Sequence, residues 1–214
     1  MKQLSKYAFC IAVIALVWIP VRASAQTLTL DDFTLGHYVK RINNSHDLHY
    51  EALPPNSRLG AARQTFFEAD SGLDAQWSTL DVGKGHFVVD AGFSCGTSIS
   101  SSYGFTLAGA EVPLGLDLYG YSGFQLNFQG IATSESLYVV ITVWPQSGVP
   151  YNFEVVLPPN GNAFSVSFPF SGFQGGGGGG LTQADVSNIS FIAVQAGGGG
   201  FASFGLTSFQ AVTQ

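Results

Sequence analysis

The residues in this chain that could perform chemistry are few and unevenly placed. All four histidines, His37, His46, His49 and His86, lie in the first half. His46 and His49 are three apart, with Asp47 between them and Glu51 beyond, the kind of grouping that a zinc ion could use. Zinc catalysis needs three such ligands on a rigid element with a base nearby. The segment 42–50 reads as a polar loop or hairpin, where this spacing leaves the two rings on different sides, so solvated histidines are expected. Glu111, Glu135 and Glu154 are the glutamates of the later chain. Glycoside hydrolysis would need two carboxyl groups about 5–10 Å apart, one with a raised pKa. Glu135 sits in a Thr-Ser-Glu-Ser turn, a setting typical of exposed positions. No histidine follows residue 86, which argues against the chain order of an α/β-hydrolase triad. A non-catalytic protein is therefore expected, with a glycoside hydrolase as an alternative.

Binding finds more support. Trp77, Tyr103, Tyr119, Tyr121, Tyr151 and Trp144 offer flat apolar faces with polar edges, which suit sugar rings. Asn127, with Gln125, Gln129 and Asn152, could add amide hydrogen bonds if they share a face. Arg63, one of few cations, is the best single candidate for a specific role, or else a structural arginine paired with Asp81 or Asp90. Eighteen phenylalanines show that aromatic rings are also the core filler, and Trp144, closing the most apolar stretch, is expected to be buried. The candidate ligand-binding residues are thus Arg63, Trp77, Tyr103, Tyr119, Tyr121, Asn127 and Tyr151.

Composition narrows the partner class. Of 214 residues 46% are apolar and only 10% charged, at a net charge of −6. Residues 1–25 read as a secretory signal peptide: Lys2 and Lys6, an apolar run over 8–19, Pro20, then Ala23-Ser24-Ala25. Twelve apolar residues rise about 18 Å as a helix, short of the ~30 Å hydrocarbon core, so no lasting span is expected. A single domain over 26–214 would then hold five basic residues (Lys40, Arg41, Arg58, Arg63, Lys84) against fourteen acidic ones, with no Lys or Arg after residue 84. Such a surface repels nucleic acid and anionic headgroups. Cys95 is the only cysteine of that domain, so it has no intrachain disulfide partner and is expected to be a small apolar residue. A secreted, periplasmic or cell-surface location follows.

Period-two alternation, cut by turn formers, recurs along the chain and predicts strands near 27–33, 63–69, 77–82, 86–90, 114–118, 124–129, 137–144, 151–157, 163–168, 189–195 and 201–211. The run 137–144 is nearly all apolar and is expected to be covered on both faces. A short helical turn is expected over 181–185, capped by Thr182. Glycine tracts at 175–180 and 197–200 are expected to be surface loops, since they have no side chain to bury. Many short strands indicate an all-β antiparallel sandwich.

Several short motifs carry a resemblance. They are Leu30-Asp31-Asp32-Phe33-Thr34-x-Gly36, Leu59-Gly60-Ala61-Ala62-Arg63, Leu116-Asp117-Leu118, the stretch Gly120-Tyr-Ser-Gly-Phe-Gln-Leu-Asn-Phe128, Phe168-Pro-Phe-Ser-Gly-Phe173 and Leu181-x-x-Ala184-Asp185-Val186-Ser187-x-Ile189. Their order resembles secreted bacterial proteins of unknown function, many with a PEP-CTERM sorting tail, and more distantly galactose-binding-like jelly rolls of carbohydrate-binding modules. The chain ends Ala211-Val212-Thr213-Gln214 without a Pro-Glu-Pro tail, which departs from the first group. The resemblance implies a jelly-roll sandwich and a carbohydrate ligand. It also implies a structural calcium near Asp31 and Asp32, but the closing strand lacks the carboxylate that relatives supply there. Asp31 and Asp32 are therefore expected to satisfy turn N–H groups instead, and no cofactor is expected. A structural surface or matrix protein, self-associating through its Gly-rich half, is the other alternative.

Overall fold

In a computed structural model, the described residues are 26–71, 77–90, 95–133, 136–175, 178–198 and 202–213, and they build an all-β, antiparallel two-sheet sandwich. The segment read as a signal peptide, Glu135, and parts of both glycine tracts lie outside that set, as does the side chain of Cys95. The strands are β1 (Thr27–Asp31), β2 (His37–Ile42), β3 (Ser45–Ala52), β4 (Ala62–Ser71), β5 (Ser78–Gly83), β6 (His86–Asp90), β7 (Cys95–Phe105), β8 (Gly123–Thr133), β9 (Leu137–Pro145), β10 (Tyr151–Leu157), β11 (Phe164–Pro169), β12 (Gln174–Gly175), β13 (Ile189–Gly198) and β14 (Ala202–Val212). One sheet runs β11-β8-β14-β6-β5-β2, with β1 beside the end of β14; the other runs β12-β10-β9-β13-β7-β4-β3.

Alternation decides which side chains meet between the layers. Phe124, Leu126 and Phe128 of β8 and Phe204, Leu206 and Phe209 of β14 face Leu137, Val139, Ile141 and Val143 of β9 and Ile192 and Val194 of β13, all buried. Each such side chain contributes roughly 1.5–3 kcal/mol by leaving water. β14 holds the first sheet together: its first half pairs with β6 and its second with β1, and its register slips at Leu206 between the two. The Thr213 N–H donates to the Gln26 carbonyl at 2.9 Å and the Gln26 N–H to Thr213 Oγ1 at 2.6 Å, fastening β1 to the end of β14.

Four expectations change. β7 was not predicted, because its Cys-Gly-Thr-Ser-Ile-Ser-Ser-Ser-Tyr-Gly-Phe sequence has few apolar residues, yet it lies inside the second sheet. Segment 42–50 is neither a polar loop nor a hairpin: β2 ends one sheet, β3 ends the other, and Asn43-Asn44 carries the chain between them, Asn44 at φ 45°. Residues 114–118 form no strand; Pro113 lacks an N–H and Gly115 turns at φ 59°, leaving a single bridge from Leu116 to Ile189. β9 is fully covered on its inner face only: outward, Tyr138 is 48% exposed and Val140 and Trp144 are half-buried, although Thr142 is buried. The helical turn α1 (Gln183–Val186) forms where expected, closed by a capping box between Thr182 and Asp185. Of the first glycine tract, Gly175 pairs in β12 and Gly180 packs against the Ser171 backbone; of the second, Gly197 and Gly198 belong to β13.

Candidate functional site

The seven expected ligand residues do not converge. Arg63 and Tyr103 are interior side chains, 0% and 1% exposed, and they meet around Asp31. Trp77 stands at the β5 entrance on the opposite sheet, under the Arg41 guanidinium at 5.0 Å. Tyr119 is exposed and Tyr121 half-buried, both in the 106–122 connection. Asn127 points outward from β8, where its Oδ1 accepts from Gln125 and Ser165 and its Nδ2 donates to Ser208. Tyr151 pairs with Val143 and shares its inward face, half-buried against Gly175.

Arg63 pairs with Asp31 and Glu51, not with Asp81, which lies 3.5 Å from His86; the Asp90 side chain lies outside the described set. Arg63 Nη1 donates to Asp31 Oδ2 at 2.7 Å, its Nε and Nη2 both donate to Glu51 Oε2 at 3.0 and 2.7 Å, and Nη2 also reaches the Leu35 carbonyl at 3.1 Å. Tyr103 donates its hydroxyl to Asp31 Oδ2 at 2.9 Å, and the Phe33 ring lies 5.3 Å from the guanidinium. The Leu30–Gly36 motif thus supplies three of the elements that hold Arg63. Gly36, at φ 80°, leaves no room for a Cβ beside Glu51 Oε1. The turn reading of the acidic pair holds: Asp31 Oδ1 accepts from the Phe33 N–H and Asp32 Oδ1 from the Thr34 N–H. Among the described residues no group of three or more His, Cys, Asp or Glu side chains is placed to hold a metal ion. His46 and His49 project to opposite faces of β3, His49 stacked on Tyr38 at 4.1 Å and His46 against Phe66 at 5.8 Å.

Two buried phenols set an alkaline limit to stability. Burial and the Asp31 carboxylate push the Tyr103 hydroxyl well above the ordinary tyrosine range; burial and its bond to Asp47 raise Tyr38 likewise. An unfolded tyrosine titrates near 10. A folded-state pKa above that value means stability is complete below about pH 10 and is lost as pH rises beyond it. The urea midpoint is therefore expected to hold steady to about pH 9.5 and then fall, with a shallower fall in Tyr38→Phe. A midpoint unchanged to pH 11.5 would contradict this.

The outward face of the second sheet is differently built. Its middle strands carry small side chains there: Ser98, Ser100 and Ser102 of β7 lie opposite Gly197, Gln195 and Ala193 of β13. The Ser100 and Ser102 hydroxyls, 3.2 Å apart, lie on this one side. Flanking strands carry larger ones, Tyr50, Leu48 and Phe66 on β3 and β4, Tyr138 and Trp144 on β9. Register therefore lays a lane of hydroxyls and small side chains between two raised borders. At one end the lane meets a row of rings: Tyr50 and Phe105 are 6.2 Å apart, Phe105 and Phe191 6.1 Å, and Phe191 lies opposite Trp144. Gly104, at φ 110°, makes room for this row, because a Cβ there would run into Phe191.

Ser102, Phe105, Glu111, Trp144 and Phe191 line a hollow of about 310 Å³ at that end, the small end of the ligand-sized range of about 300–1,000 Å³. Trp144 is half-buried, not enclosed as expected, because its ring forms one wall. Glu111 is exposed and is the one carboxylate among the lining residues, while Glu154 lies outward on β10 beside Asn152 and Gln174. Ser102 and Phe105 were missed because β7 was not recognised, whereas Phe191 falls in the expected strand 189–195 and was one phenylalanine among eighteen. Alternation of Thr97, Ile99, Ser101 and Tyr103 against three outward serines was the available signal.

No protein-family profile matches the chain, and no curated protein sequence matches it. Solved structures do. The chain is similar to the family 11 carbohydrate-binding module of a cellulosomal cellulase of Clostridium thermocellum, at 11% identity and TM-score 0.42, over 90% of this chain and 97% of that one. A solution structure of a family 11 module gives 12% identity and TM-score 0.46 over 90% and 98%. An agarase gives 14% identity and TM-score 0.46 over 88% of this chain but 24% of the enzyme.

Sequence holds one more chemical spelling, Gly92-Phe93-Ser94-Cys95-Gly96, which has the Gly-x-Ser-x-Gly spacing of a nucleophile elbow. That elbow requires a strand leading into a helix with a histidine later in the chain. Here Cys95 opens a strand and no histidine follows residue 86. Residues 92–94 lie outside the described set. Among the described residues no helix is long and apolar enough to cross a membrane.

Proposed function

We propose that this chain is an exported, non-catalytic carbohydrate-binding module whose ligand sits on the outward face of the second sheet. The observation that carries this reading is the hollow lined by Trp144, Phe105 and Phe191 with Ser102 and Glu111 at its polar side. Sugar rings present apolar C–H faces and a rim of hydroxyls. Aromatic walls cover the faces, and a carboxylate and a hydroxyl accept and donate at the rim. The polar lane over Ser98, Ser100, Ser102 and Gln195 continues from the hollow along the strands, giving an extended chain further hydrogen-bond partners. A lone carboxylate in the hollow supports binding over hydrolysis, which uses a pair. Rigid strands also favour binding, since a preorganised surface loses little entropy on association.

Calorimetric titration with soluble neutral polysaccharides tests the reading. Trp144→Ala is expected to weaken binding at least tenfold, about 1.4 kcal/mol or more, while leaving the thermal midpoint of this half-exposed position within a few degrees. Unchanged affinity in Trp144→Ala would place the ligand elsewhere.

A further inference from the structure

The carbohydrate reading of the hollow says nothing of ligand charge, but the distribution of ionic groups does. Every basic residue of 26–214 lies away from the outward face of the second sheet. Arg63 is interior and held by two carboxylates. Lys40 pairs with Asp47 at 3.2 Å where β2 meets β3, and Arg41 covers Trp77 on the other sheet. Lys84 turns between β5 and β6, and Arg58 lines a hollow with Asp31, Asp32 and Pro54. On the face itself stand Glu68, beside Ser98, Glu154, beside Val140, and Glu111 in the hollow. The other titratable groups on it among the described residues are His46, opposite Glu68, and the phenols Tyr50 and Tyr138.

We infer that this face selects uncharged polysaccharides and rejects acidic ones, with Glu111 as the specificity residue at the hollow. The inference rests on the carbohydrate reading. Glu111 accepts hydrogen bonds from the hydroxyls of a neutral sugar. A uronate or sulfate ester brought to the same place meets a like charge beside apolar walls, with no cation within the lining to offset it. The surrounding field has the same sign, since residues 85–214 contain no Lys or Arg. Repulsion between exposed groups is screened over about 10 Å at 0.1 M salt, so it shows most clearly at low ionic strength.

The experiment titrates the protein with pairs of polymers that share a backbone and differ in charge: hydroxyethyl- against carboxymethyl-cellulose, and agarose against sulfated galactan oligosaccharides. For whichever backbone binds, the neutral member is expected to bind at least tenfold tighter at 20 mM salt. Raising salt to 0.5 M should narrow the gap several-fold by improving the charged member alone, and Glu111→Gln should narrow it at low salt. Equal affinity for both members, or a gap indifferent to salt and to Glu111→Gln, overturns the inference and leaves the carbohydrate reading standing. Absence of binding to any neutral polymer, across these and a mannan and a mixed-linkage glucan, overturns that reading itself.

Discussion

Arg63→Met is expected to destabilise the protein by about 3–5 kcal/mol, the range seen when one partner of a buried ion pair is removed. The guanidinium is the cation that both buried carboxylates bind, and its loss leaves Asp31 and Glu51 desolvated without a compensating charge. Glu51 is exposed already to this risk, because its Oε1 has no hydrogen-bond partner among the described residues. A domain typically has only about 5–15 kcal/mol in total, so poor yield is an expected symptom. Arg63→Lys should fall between, since an ammonium keeps the charge but cannot span Asp31, Glu51 and the Leu35 carbonyl at once. Replacing Asp31 and Glu51 with Leu alongside Arg63→Met should recover only part of the loss: it removes the uncompensated charge but leaves the buried Tyr103 hydroxyl and the Phe33 N–H without their Asp31 acceptor. Urea denaturation at pH 7 measures all three. A loss under about 1 kcal/mol in Arg63→Met would show that solvent reaches the cluster.

Phe124→Ala should cost about 3–5 kcal/mol by leaving a cavity in the interior. The ring is fully buried and sits among Phe170, Phe173 and Phe209 at 5.0, 6.0 and 5.2 Å between centroids. It therefore joins β8 to β14 and to the 3-10 turn Phe170–Gly172, which follows β11. Aromatic pairs of this geometry add roughly 0.5–1.5 kcal/mol each beyond area. Phe124→Leu, which keeps most of the volume, should lose less than half as much. Similar denaturation midpoints for both variants would mean that neighbouring rings close over the gap.

These two sites show how differently sequence speaks about core and site. Phe124 is legible: it alternates with Gln125, Leu126 and Asn127, and alternation alone assigns it inward. The partners of Arg63 are not legible. Asp81 and Asp90 are no worse candidates in sequence than Asp31, 32 residues away, and Glu51 was noticed only beside the histidines. The hollow was legible in part. Trp144 and Glu111 were singled out, the first for the core and the second for hydrolysis, while Phe105 and Phe191 were passed over as two among eighteen phenylalanines.

Local chemistry determined whatever acts over a few residues: the all-β class, most strand positions, the Thr182 cap, and the Asx turns of Asp31 and Asp32. Those follow from φ/ψ preference, side-chain alternation and neighbouring donors, which one stretch of chain contains in full. Tertiary structure decided which strands became neighbours, and so which side chains share a surface. Period two says that Ser102 and Tyr103 face opposite ways but not what lies alongside them. Only pairing of β7 with β4 and β13, and of β13 with β9, puts Tyr103 by Arg63 and brings Phe105, Phe191 and Trp144 to one hollow.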